Sequence, residues 1–185
     1  MGLLFSSNHS SVLARFGHLK TFKKGNSKQI TNAIIGAVGE MEIAVGDYEY
    51  TTSRNNRAHT HYQTICLLQS QELRLPHCFL RPEGRLFDFL GGLLGGPDFD
   101  FDEDPAFSSA YVLQGDNEAA VRNLFDADTR QWFVARRKEN FHFEADHGIL
   151  LFHMGRRVKP QEARRLMEEA IEILGVLETR RELVS

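Results

Sequence analysis

Hydrophobic and polar residues alternate most clearly between Gly39 and Leu68, in GEMEIAVGDYEY, a polar spacer and THYQTICLL. Met41, Ile43 and Val45 alternate with Glu42 and Ala44, the period of two that marks a strand with one buried face. Past Gly46-Asp47 the apolar phase slips by one residue, onto Tyr48 and Tyr50. Such a slip turns a strand inside out unless an extra residue absorbs it. The pattern therefore predicts a β-bulge at Gly46-Asp47, where glycine tolerates positive φ. The returning strand, His61 to Gln69, is apolar on both faces in its second half. Tyr62, Thr64, Cys66 and Leu68 point one way, Ile65 and Leu67 the other, as in an inner strand covered on both sides. Between the two strands, Thr51 to Thr60 has no apolar residue except Ala58 and reads as an exposed hairpin tip.

Elsewhere the pattern predicts short strands at Ile30–Ile35, Leu75–Arg81 and Phe107–Gln114, and one or two helical turns over Arg85–Leu94. Phe99 and Phe101 alternate with Asp98, Asp100 and Asp102 in a small edge strand. Asp104-Pro105 reads as an N-cap followed by proline at N1. Helices follow from Asp116 to Phe125 and from Ala127 to Arg136, then a hairpin of Phe141–Ala145 and Ile149–Met154 turned by Asp146-His147-Gly148. The strongest helix is the last. Pro160 sits in its first turn, and Ala163, Leu166, Met167, Ala170, Ile171, Leu174 and Leu177 form one apolar stripe.

These elements predict an α+β fold. A curved, mostly antiparallel sheet of six to eight strands is covered by the C-terminal helix and the 116–136 helical pair. The expected version is a partly closed barrel, like that of a pleckstrin-homology domain. The division expected is a basic N-terminal arm over residues 1–29 and one α+β domain over 30–178.

The arm changes the picture through its charge. Residues 1–39 hold Arg15, Lys20, Lys23, Lys24 and Lys28 and no acid. Leu13, Phe16, Leu19 and Phe22 recur at spacings of three, which predicts a short amphipathic helix around Ser11 to Thr21. One reading makes Arg15, Phe16, Lys20, Phe22, Lys23 and Lys24 a contact surface for an anionic membrane or a protein partner. The other packs the apolar side chains on the sheet, and it is favoured because so few charges make a weak electrostatic anchor.

Composition excludes more than it assigns. A formal net charge of −3 gives no general attraction to nucleic acid, and no nucleic-acid partner is expected. Cys66 and Cys78 lie in apolar strand contexts, which suits a reducing, cytoplasmic compartment rather than a disulfide scaffold. No apolar run approaches the length of a membrane span and the N-terminus has no signal-peptide core, so attachment to a membrane would be peripheral.

Candidate chemistry is sparse. His59 and His61 form an H-x-H pair on one strand face, and with His77 they make the alternative reading, a metal-dependent enzyme or sensor. Their spacing matches no strong zinc signature. The acidic run from Asp98 to Asp104 lacks the glycine and the glutamate of a calcium loop and reads as a solvated edge. No nucleophile elbow and no phosphate loop is present. Arg54, Asn55, Asn56 and Arg57 read as a solvated tip, and Tyr48, Tyr50 and Tyr62, with no basic residues interleaved, as core rather than a base-stacking platform. No catalytic residue and no cofactor is expected.

GDYEYTT, HTHYQT, LPHCFLRPEG, DPAFSSAYVLQGDNEAAVRNLF and GRRVKPQEARRLMEEAIEIL, in that order across roughly residues 20–177, resemble a widespread uncharacterised bacterial domain. That domain is usually the soluble C-terminal part of small membrane proteins with one or two N-terminal transmembrane helices. The resemblance implies no activity and no catalytic residue. The present chain departs from it by lacking those helices, and the arm from Arg15 to Lys28 occupies the place where the anchor would join. The expected function is a non-catalytic interaction domain acting at or near a membrane surface or a protein partner.

Overall fold

The computed structural model describes residues 4–8, 10–54, 57–84 and 98–182. Eight strands form one antiparallel sheet in the order β1-β2-β3-β4-β8-β7-β5-β6. They are β1 (Leu4–Asn8), β2 (Asn26–Val38), β3 (Met41–Arg54), β4 (Arg57–Gln69), β5 (Leu75–Pro82), β6 (Tyr111–Gly115), β7 (His142–His147) and β8 (Ile149–His153). The fold class is α+β, as the sequence pattern predicts. The sheet is open rather than partly closed: β1 and β6 end it on either side and do not pair with each other among the described residues.

Both faces are covered. The larger core lies under α6 (Ala163–Glu182), with α3 (Pro105–Ser108), α4 (Glu118–Leu124) and α5 (Ala127–Ala135) beside it. The smaller core lies under α1 (Ser10–Phe16) and α2 (Lys20–Lys23). Alternation on β4 divides between them. Cys66 and Leu68 belong to the α6 side, Ile65 and Leu67 to the arm side. The same division on β8 sends Leu150 and Phe152 to α6 and Ile149 and Leu151 to the arm.

This two-sided cover overturns the predicted bulge at Gly46-Asp47. β3 and β4 pair in unbroken register from Glu42 opposite Gln69 to Arg54 opposite Arg57. The apolar phase changes because the cover changes faces. Ile43 is buried on the α6 side, whereas Tyr48 and Tyr50 are buried on the arm side. The extra residue sits instead on β2, where Asn32 and Ala33 oppose Gly46 and Asn32 takes φ 52°. Gly46 is needed for space: a Cβ there would stand 3.0 Å from Ile30 Cγ2 and 3.1 Å from Ala33 Cβ. The expected loop from Thr51 to Thr60 is likewise strand on both sides, up to Arg54 and from Arg57.

The C-terminal helix closes the α6 side, with Leu166, Ala170, Ile173, Leu174 and Leu177 buried. The predicted stripe errs by one position: Ile171 is 44% exposed and Ile173 is fully buried in its place. Asp104 caps α3, its side chain accepting from Phe107 N, and Pro105 stands in the first turn. Asn117 rather than Asp116 caps α4. The segment 98–102 is a single bridge from Asp98 to Gln114 rather than an edge strand. The helical turns expected over Arg85–Leu94 lie outside the described residues.

Candidate functional site

The arm-side face of the sheet gathers most of the candidate residues. Residues 10–24 cross it as α1 and α2, broken at Gly17-His18 instead of forming the one helix expected. Val12, Phe16, Leu19 and Phe22 point down and are at most 5% exposed. Phe22 meets the Tyr48 ring edge-on at 5.0 Å between centroids. Tyr48 then stacks on Tyr50 at 5.3 Å, and Tyr50 on His61 at 4.7 Å.

A buried carboxylate fixes the arm. Glu144 on β7 has no solvent exposure. Its Oε1 accepts from Lys20 N at 2.6 Å, and its Oε2 from Thr21 N at 2.8 Å and Thr21 Oγ1 at 2.9 Å. These are orphan donors at the start of α2, so a negative charge there satisfies groups the helix itself cannot. His77 Nε2 lies 3.9 Å from Glu144 Oε1, and its Nδ1 lies 2.7 Å from Asp116 Oδ2. Glu144, then Asp116, hold the His77 imidazole above its ordinary range against the opposing effect of burial. A second contact joins His18 Nε2 to Asp146 Oδ2 at 3.5 Å.

The predicted surface residues therefore divide. Phe16 and Phe22 are buried in the arm-side core. Lys23 is exposed and Lys20 half-buried. Arg15 Nη1 donates to Glu42 Oε1 at 2.6 Å. Lys24 Nζ stands 5.2 Å from the centre of the Tyr50 ring. Desolvation, then the charge of Arg81, pulls the Lys24 ammonium below its usual range.

The three histidines of the metal reading are not brought together. His59 is exposed near the hairpin tip, and His61 Nε2 lies 2.8 Å from Thr52 Oγ1. β8 and β7 stand between β4 and β5. Along the strands, Cys78, the neighbour of His77, is level with Leu68 through Ala145 and Leu150, well away from His61. Among the described residues no group of three or more His, Cys, Asp or Glu side chains is placed to hold a metal ion. Cys66 and Cys78 are fully enclosed, and burial pushes both thiols up to about 12, far from the reactive thiolate range.

Sequence reasoning missed the polar residues beneath the arm: Arg81, His142, Glu144 and His153. All are at most 6% exposed. His142 and Glu144 alternate with Phe143 and Ala145, which reads as a strand with one wet face. Their burial follows from the arm lying over that face, a long-range packing event with no local signal. The one available clue was the pairing of an acid-free arm with an acidic strand.

On the α6 side, Asp47 ties the hairpin to the segment leading into α6. Burial pushes its carboxyl up, but hydrogen bonds from Arg157, Asn32 and Thr64 outweigh this and hold it below the usual range. Arg157 Nη2 donates to Asp47 Oδ2 at 2.6 Å, and Val158 N donates to Thr64 Oγ1 at 3.0 Å. A separate cleft of about 290 Å³ lies between residues 138–140, 154–156 and the start of α6. Its rim is neutralised by the Arg156–Glu162 and Arg165–Glu139 pairs, at 3.2 and 3.0 Å.

No helix among the described residues is long and apolar enough to cross a membrane. Comparison with protein families finds no match, and comparison with curated proteins finds none either. Among solved structures, the fold is similar to that of the mycobacterial trehalose monomycolate transport factor A, TtfA. The TM-score is 0.59 at 12% identity, over 95% of this chain and 88% of that one. At that identity the likeness is one of fold, and it extends over nearly the whole chain.

Proposed function

We propose that this protein is a non-catalytic interaction domain that works at the cytoplasmic side of a membrane, attached peripherally, as a factor serving a lipid-transport assembly. The observation that carries the reading is the division of the arm. Its apolar residues are locked into the sheet by Glu144 and the core, so the charge it turns outward is cationic: exposed Lys23 and half-buried Lys20, beside Arg15, which is paired with Glu42. An ordered, acid-free arm suits weak contact with an anionic surface. The fold shared with a transport factor supplies the setting. Each basic residue near such a surface contributes about 1 kcal/mol. Stable attachment then requires a second contact, for which a membrane-embedded protein partner fits.

Vesicle sedimentation tests this. The wild-type chain should pellet with vesicles containing phosphatidylglycerol at low salt and not with phosphatidylcholine alone. Lys20→Gln with Lys23→Glu should abolish the difference in a variant that still unfolds cooperatively. Equal pelleting of the variant would move the contact elsewhere on the molecule.

A further inference from the structure

Arg81 is 5% exposed, yet among the described residues no carboxylate pairs with it. Among the described residues its guanidinium makes one long bond, Nη1 to the Pro82 carbonyl at 3.3 Å. A buried guanidinium is ordinarily matched by an anion, because an enclosed, uncompensated charge is costly.

The surroundings of Arg81 are basic. Leu80 pairs with Phe143, so the next rung of the β5–β7 ladder sets Arg81 beside His142. His142 pairs with His153 across β7 and β8, and their rings stack at 4.6 Å between centroids. The three form a row across adjacent strands on the arm-side face, and no acid belongs to that row. The acid on the neighbouring rung, Glu144, already accepts three bonds from α2. Lys24, at the end of α2, comes close enough for its charge and that of Arg81 to oppose each other, and both charges act on His142.

We propose that Arg81, with Lys24 and the His142–His153 pair around it, is a binding site for a phosphate group. The guanidinium fork matches two oxygens of an oxyanion at once. A carboxylate would use both its oxygens on that fork. A phosphate keeps further oxygens and charge for Lys24 and an imidazole N–H. The phosphate can be a soluble ion or a lipid headgroup. The site itself does not depend on the membrane reading.

Calorimetric titration of the full chain with inorganic phosphate, at ionic strength held constant with chloride, tests the site. Saturable one-to-one binding is expected. Arg81→Gln should weaken it about tenfold or more, the effect of losing a charged hydrogen-bond donor. Arg81→Lys, which keeps the charge and loses the fork, should also weaken it, and it carries the comparison if Arg81→Gln does not fold. No saturable binding by wild type, or unchanged affinity in a folded variant, overturns the proposal. Vesicles of phosphatidylglycerol then separate the sources. Competition by free phosphate, with weaker pelleting of Arg81→Gln, identifies a headgroup site. Vesicle binding indifferent to Arg81, beside lost phosphate binding, identifies a soluble phosphate. Phosphate binding with no vesicle binding at all leaves the site standing and sinks the membrane reading.

Discussion

Glu144 shows how much one side chain can organise. It is a fully buried carboxylate whose partners are backbone amides more than 120 residues away in the chain, Lys20 and Thr21. Removing it leaves those donors enclosed and unpaired, at about 1–3 kcal/mol for each such group. Glu144→Ala should therefore lower stability by at least about 2 kcal/mol in urea unfolding. It should also speed amide exchange at Lys20 and Thr21 selectively; exchange unchanged at both would mean that Glu144 does not hold the arm. The histidines under the arm make a second prediction. Burial first, then Lys24 and Arg81, lowers His142 to about 3, and burial with His142 lowers His153 well below its ordinary value. Both stay neutral in the fold and take up protons when unfolded, so their contribution is complete above the unfolded value near 6.5 and is lost as pH falls toward the folded one. His77 has the opposite sign: its pKa is raised, so its contribution is complete below 6.5 and fades as pH rises through the folded value. Urea midpoints should fall between pH 6.5 and 5, and His142→Gln should flatten that slope. A slope identical to wild type would place the proton uptake elsewhere.

Elements were legible in the sequence where one face of a periodic segment meets one partner. The stripe of α6 is such a case, and Leu166, 1% exposed, sits in its middle. Leu166→Ala should cost about 2–5 kcal/mol, the range for emptying a leucine-sized space in a core. A loss under about 1 kcal/mol by denaturant titration would mean that the helix is only loosely attached. β3 was less legible, because its two halves are buried on opposite faces, and from sequence such a change of cover looks the same as a bulge. From sequence β2 reads as far too short, since its first residues, Asn26 to Gln29, are polar, Gly36 interrupts its apolar run, and its pairing is set by the neighbouring strands. β7 was legible as a strand but not as a buried one, since only the folded arm makes its polar face an inside. The candidate site suffered the same way. The basic residues of the arm stood out by charge, whereas Arg81, His142 and His153 acquire meaning only when three separate strands align.

At the scale of the whole molecule, an open eight-stranded sheet lies between two unequal covers. The cover made by α6 and its neighbours rests on the larger core, while the arm rests on the smaller one. This arrangement places the arm's phenylalanines in the core, and under the proposed reading it separates two kinds of membrane binding. An arm that inserted Phe16 and Phe22 into lipid would bind in a way that salt does not reverse. An arm that keeps them in the core can bind only through charge, which is screened over about 10 Å at 0.1 M salt and about 3 Å at 1 M. The deciding measurement is vesicle sedimentation of the wild-type chain with phosphatidylglycerol across that range of salt. The proposed reading predicts binding at the low end that declines steadily and is gone by the high end, with the protein still folded. Binding that persists undiminished at 1 M salt would contradict it, because the apolar side chains would then have left the sheet.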